Sequence, residues 1–84
     1  MPSVPDIPIN RTGRILRDTQ HAGWLIRVEP FPKSDTAFYV FYFTDDRTQG
    51  FDDWVQDYDN LTGLFETRGL VVDWDIPQPE APYS

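Results

Sequence analysis

Cysteine is missing from all 84 residues, which excludes disulfide staples, thiolate zinc sites and a cysteine nucleophile and fits a reducing compartment. Histidine occurs once, as His21, in a turn-like QHAG where an exposed ring is expected rather than a catalytic one. Serine is confined to Ser3, Ser34 and Ser84, none inside a nucleophile-elbow sequence. Glu29, Glu66 and Glu80 fall on an expected strand, helix and tail, so nothing pairs them as a general acid and base. There is no glycine-rich phosphate loop and no zinc-ligand spacing. These gaps argue against an enzyme, and no catalytic residue, metal site or cofactor is assigned. No apolar run approaches the roughly 20 residues that cross a bilayer, and no secretory apolar region opens the sequence, so a cytoplasmic protein without membrane attachment is expected.

What the chain does have is acid and aromatic surface. Its net charge is −7, and it is unevenly placed. Residues 1–33 hold five basic groups against three acidic ones, whereas residues 34–84 hold two against eleven. Such a surface repels phosphate backbones, which disfavours nucleic acid, and suits a basic partner or plain solubility. Thirteen aromatics, six Phe, four Tyr and three Trp, give a short chain large side chains with which to build a core.

The length allows one domain. Residues 1–10 place Pro2, Pro5 and Pro8 at polyproline II spacing, which would suit an SH3-type ligand, but are expected to form an extended tail with Val4, Ile7 or Ile9 able to touch the body. Residues 11–77 form the domain, and the proline-broken 78–84 is expected to be disordered. RILRD, residues 14–18, reads as a first strand. In WLIRVEPF, residues 24–31, Trp24, Ile26 and Val28 alternate with Arg27 and Glu29, as in a half-buried strand ended by Pro30 and Pro32. AFYVFYF, residues 37–43, is the strongest strand, with Phe38, Val40 and Tyr42 on one face and Tyr39, Phe41 and Phe43 on the other. LVVDWDI, residues 70–76, closes the series.

Between the last two strands stands FDDWVQDYDN, residues 51–60. Phe51, Trp54, Val55, Tyr58, Leu61 and Phe65 follow a helical spacing within an arc of about 120°, which predicts a helix over 52–67 packed on the sheet by Trp54, Tyr58, Leu61 and Phe65. Asp52 and Asp53 would occupy its first turn, beside the positive end of the helix dipole. Gly69 would take the left-handed position after its end, with Phe65 and Leu70 closing a Schellman motif. The aspartates then turn outward in two rows, Asp52, Asp59 and Glu66 on one flank and Asp53 and Asp57 on the other. On that reading, replacing Asp53 and Asp57 by asparagine removes a like-charge pair and leaves folding intact or improved. The loop counted from Asp45 places Gly50 sixth, as in a calcium loop, but puts Arg47 and Gln49 at ligand positions, which a cation shell does not accept. Weak association of Mg²⁺ or Ca²⁺ with Asp45, Asp46, Asp52 and Asp53 is the remaining metal reading.

The expected architecture is therefore α+β, a two-layer sandwich of a mostly antiparallel, four-stranded sheet in the order β-β-β-α-β with one amphipathic helix on one face. One helix covers only one sheet face, so the opposite face, with Tyr39, Phe41 and Phe43 as its candidates, needs the N-terminal tail, the stems of Arg14, Arg17 and Arg27, or a second molecule. Two function classes follow. The first is a small acidic, non-enzymatic domain that binds a basic protein, as an inhibitor or regulator, through Asp52, Asp53, Asp57, Asp59, Glu66, Tyr39, Phe41 and Phe43. Immunity proteins that neutralise nuclease toxins are similar in size and charge, though no motif ties this chain to them. The second is a structural or housekeeping protein that self-associates through the aromatic face. A metal-dependent enzyme is a distant third.

Overall fold

The computed structural model describes residues 7–17 and 20–78. Five strands and one helix follow one another as β1 (Thr12–Arg17), β2 (Leu25–Pro30), β3 (Phe38–Phe43), β4 (Gly50–Val55), α1 (Tyr58–Arg68) and β5 (Val71–Asp73). The strands form one open antiparallel sheet in the order β4-β3-β2-β1-β5. Four strands meander by hairpins, and α1 then carries the chain from the β4 edge to the opposite edge, where β5 pairs with β1. An antiparallel sheet with one helix is the expected class. The order differs by one strand, because residues 50–55 pair with β3 along their whole length, from Phe38↔Val55 to Phe43↔Gly50.

The period-2 alternation expected for the second and third strands holds. Ile26 and Val28 on β2 and Val40 and Tyr42 on β3 enter the core, with Trp24 and Phe38 packed against it. They meet Ile15 from β1, Val55 from β4, and Leu61 and Phe65 from α1, each fully buried aliphatic or aromatic side chain stabilising the domain by about 1.5–3 kcal/mol. Val72 and Trp74 pack on the same side, with the Trp74 ring stacked 6.4 Å from that of Phe65. This approach explains Gly13 on β1. A Cβ there would stand 2.5 Å from Val72 Cγ1 and 2.6 Å from Trp74 Cε3. Ile7 is 5% exposed and belongs to the same core; its N–H donates to the Tyr58 hydroxyl at 3.0 Å. Asn10 N–H donates to Val28 O at 2.7 Å, and residues 1–6 and 79–84 of the two expected tails lie outside the described residues.

The helix begins six residues later than its spacing predicts. Asp57 is its N-cap, in extended backbone, and accepts the Asn60 N–H at 2.8 Å. Phe51, Trp54 and Val55 belong to β4, so the predicted stripe joined a strand to a helix. Among the residues expected to hold the helix on the sheet, Leu61 and Phe65 do so, whereas Trp54 is 53% exposed and Tyr58 is also exposed. The far end is as expected. Gly69 is left-handed at φ 64°, its N–H donates to Glu66 O at 3.1 Å, and the Leu70 N–H donates to Phe65 O at 3.0 Å, the two bonds of a Schellman motif. Among the described residues no helix is long and apolar enough to cross a membrane.

Candidate functional site

The sheet face away from α1 follows from strand register. Arg27 lies beside Phe41 and Phe41 beside Asp52; Glu29 lies beside Tyr39 and Tyr39 beside Trp54; Leu25 lies beside Phe43. One end of this face is closed. Ile76 and Pro77 line a cavity of about 430 Å³ with Arg14, Leu25 and Asp45, and the Gln78 side chain bonds both backbone groups of Thr12. Its Oε1 accepts the Thr12 N–H at 2.8 Å and its Nε2 donates to Thr12 O at 2.9 Å. Leu25 and Phe43 are buried.

The other end carries four aromatics. The Phe31 ring stands edge-on to Tyr39 at 5.0 Å and to Trp54 at 6.3 Å, and Tyr39 lies 5.5 Å from Phe41. Phe31, Tyr39 and Phe41 are half-buried and Trp54 is exposed. Arg27 is held on this face by Glu29 at 2.7 Å and by the Thr12 hydroxyl at 3.3 Å, which leaves Asp52 as an exposed carboxylate beside Phe41. Rigid aromatics next to an exposed carboxylate offer stacking area and charge to a cationic side chain.

The acidic residues do not form the two helical rows that their spacing predicts, because Asp52 and Asp53 are neighbours on a strand and point to opposite faces. Asp53 faces α1 and pairs with Arg68 at 3.7 Å. Asp57 caps the helix, and the Asn60 backbone N–H and side-chain amide hold its carboxyl below the usual range. Asp59 and Glu66 are exposed on α1. Of the eight residues expected to bind a partner, Tyr39, Phe41 and Asp52 share one surface; Phe43 is buried, and Asp53 is engaged on the far side.

The β3–β4 loop is built as a turn. Asp46 accepts bonds from the Thr44 hydroxyl, the Thr48 hydroxyl and the Thr48 N–H; the backbone bond from Thr48, with the hydroxyls of Thr44 and Thr48, keeps its carboxyl below the usual range. Asp45 meets Arg14 through two bonds of 2.9 and 3.2 Å. Among the described residues no three His, Asp or Glu side chains gather as a ligand set.

A second cluster, between α1 and the sheet, was not legible from sequence. The Arg68 guanidinium lies over the rings of Tyr42 at 4.8 Å and Phe51 at 5.9 Å, and its Nη2 is 2.9 Å from His21 Nδ1. A guanidinium only donates, so His21 Nδ1 is the acceptor in this contact. His21 is half-buried against Trp24 at 4.7 Å and Phe51 at 4.8 Å, not exposed as expected. The Tyr42 hydroxyl is buried without a partner in hydrogen-bonding geometry. Burial pushes its ionisation far above that of an ordinary tyrosine, the nearby Asp53 carboxylate adds to this, and Arg68 opposes it. This cluster locks the helix to the sheet; its aromatic and cationic groups are turned toward one another, whereas those of the opposite face are turned outward.

No protein-family model matches this chain, and no curated protein or solved structure matches it either.

Proposed function

We propose that this chain is a non-enzymatic binding domain that docks a basic protein on the open aromatic face of its sheet. The observation that carries the reading is the group Phe31, Tyr39, Phe41 and Trp54, left uncovered by the helix and flanked by the Asp52 carboxylate. Apolar surface gathered in this way on a small domain serves association, and tyrosine and tryptophan are enriched where proteins meet. The charge favours a basic partner over a second copy. On this face Arg27 is already held by Glu29, which leaves the exposed Asp52 carboxylate as the charge offered outward, so two copies meeting here would bring like charges together.

The test is capture from the native host by the immobilised chain, beside Tyr39→Ala and Phe31→Ala variants that fold as the parent does. A basic protein retained by the parent, lost from both variants and released progressively by salt supports the reading, since exposed charges act over about a Debye length, ~8–10 Å. Equal capture by all three forms overturns it. The second reading, self-association through the same aromatics, predicts instead a parent that sediments as a dimer and a Tyr39→Ala variant that does not.

A further inference from the structure

Strand β4 ends the sheet, paired with β3 on one side and, among the described residues, with no strand on the other. Its free edge has a definite register. Thr44 N–H donates to Gln49 O at 3.0 Å, and Phe31 N–H donates to Ala37 O at 2.9 Å on the far side of β3. Bonded and non-bonded pairs alternate along antiparallel strands. Phe51, Asp53 and Val55 therefore spend their backbone groups on β3, while Gly50, Asp52 and Trp54 turn theirs outward. Beside this edge lies a groove of about 530 Å³ between the end of β4 and the outer flank of α1, lined mainly by Val55, Asp59, Gly63, Leu64 and Thr67. Gly63 presents no side chain, and a Cβ there would meet nothing within 4 Å.

We infer that the β4 edge takes an extended basic segment of the partner as a sixth strand, with lysine or arginine alternating with apolar residues. The inference rests on the proposed basic partner and adds the mode by which it is held. Partner residues opposite Asp52 and Trp54 lie on the open face, where a cationic side chain meets the Asp52 carboxylate and the Trp54 ring. Those opposite Asp53 and Val55 lie over the groove beside Leu64 and Gly63. Main-chain bonds supply affinity and the alternating side chains supply selectivity. A second copy is a poor occupant. Antiparallel self-pairing has to match outward-turned residues with one another, so its central registers set Asp52 of one chain against Asp52 of the other or, one step along, Asp53 against Asp53, and like charges directly opposite are destabilising.

The experiment titrates the ¹⁵N-labelled chain with a short peptide alternating lysine and valine. Two backbone N-methylated forms accompany it, one blocked on the edge that would face β4 and one on the opposite edge, together with a glutamate–valine control. The expected result is a shift of the Asp52 and Trp54 amides with about tenfold slower solvent exchange. Affinity should fall at least about tenfold when the facing edge is methylated, hold when the other is, and vanish for the acidic peptide. Asp52→Lys and Gly63→Leu, one reversing the charge and one filling the groove, should each weaken binding about tenfold while leaving the remaining amide spectrum in place. Shifts confined to Phe31, Tyr39 and Phe41, equal for both methylated forms, would overturn the edge while leaving the face reading intact. Equally fatal are no shift at millimolar peptide, or Asp52 and Trp54 amides that become protected as the chain alone is concentrated.

Discussion

Arg68, in the last turn of α1, holds its guanidinium 4.8 Å from the centre of the Tyr42 ring on β3 and 3.7 Å from the Asp53 carboxylate on β4. One side chain thus ties the helix to two strands. Arg68→Met keeps much of the stem but leaves Asp53 uncompensated, and should cost about 1–2 kcal/mol in urea unfolding. Asp53→Asn should cost less, and the double variant should show a coupling of about 0.5–1 kcal/mol. The sequence-based expectation that Asp53→Asn with Asp57→Asn is neutral or stabilising is reversed, because the first change removes the Arg68 partner and the second alters the helix cap.

Tyr42 should set the alkaline limit of stability. Its phenol is 1% exposed, and burial, reinforced by Asp53, raises its ionisation well above the unfolded value near 10. With a folded value above the unfolded one, the contribution is fully present below about pH 10. It is lost as pH rises further, because the unfolded chain releases the proton first. Stability should then fall by about 1.4 kcal/mol per pH unit from this group alone. Tyr42→Phe should remove that slope without cost at neutral pH, because the hydroxyl has no hydrogen-bond partner to lose. Phenolate absorbance should show one tyrosine of the folded chain resisting titration.

Three glycines should respond to alanine in opposite directions. Gly63→Ala faces open space within a helix and should stabilise by about 0.5–1 kcal/mol. Gly69→Ala strains a left-handed residue and should destabilise by about 1 kcal/mol. Gly13→Ala drives a methyl into Val72 and Trp74 and should cost about 1–3 kcal/mol. Thermal melts of the three variants order them as 63, 69, 13 from most to least stable. Agreement between Gly63→Ala and the parent would mean that the helix lacks the open flank on which the groove depends.

The parts legible in the sequence were those whose signal repeats. Ile26 and Val28, Val40 and Tyr42, and Gly69 with Phe65 and Leu70 stand where alternation and capping chemistry put them. Strand β4 was misread because Phe51, Trp54 and Val55 continue by chance the spacing of Leu61 and Phe65, and because two adjacent aspartates look like a helix start. Its alternation is masked. The inward position between Phe51 and Val55 holds a charge, Asp53, while the outward one holds Trp54, so polarity runs against the usual in-and-out rule. The inward aspartate keeps access to water at the sheet edge and pairs with the distant Arg68, and local spacing carries no sign of that partner. The aromatic face was visible in Tyr39 and Phe41; the cluster around Arg68 and His21, 47 residues apart, was not.

Trp54 separates the two readings of FDDWVQDYDN most sharply. As a helical core residue it would cost several kcal/mol on truncation, as Phe and Trp core changes do. On β4 it is 53% exposed, edge-on to Phe31 and opposite Tyr39 on the open face. Trp54→Ala should therefore change unfolding by no more than about 1 kcal/mol, with an unaltered urea m-value. Its effect should fall on association instead. An exposed tryptophan at the join of an aromatic face and a free strand edge is the kind of side chain that dominates an interface, where truncation costs about 2 kcal/mol or more. Urea melts alongside partner capture check both halves. A variant that melts as the parent does and no longer holds the basic partner fits Trp54 as a contact residue, whereas a loss of several kcal/mol in the melt returns it to the core.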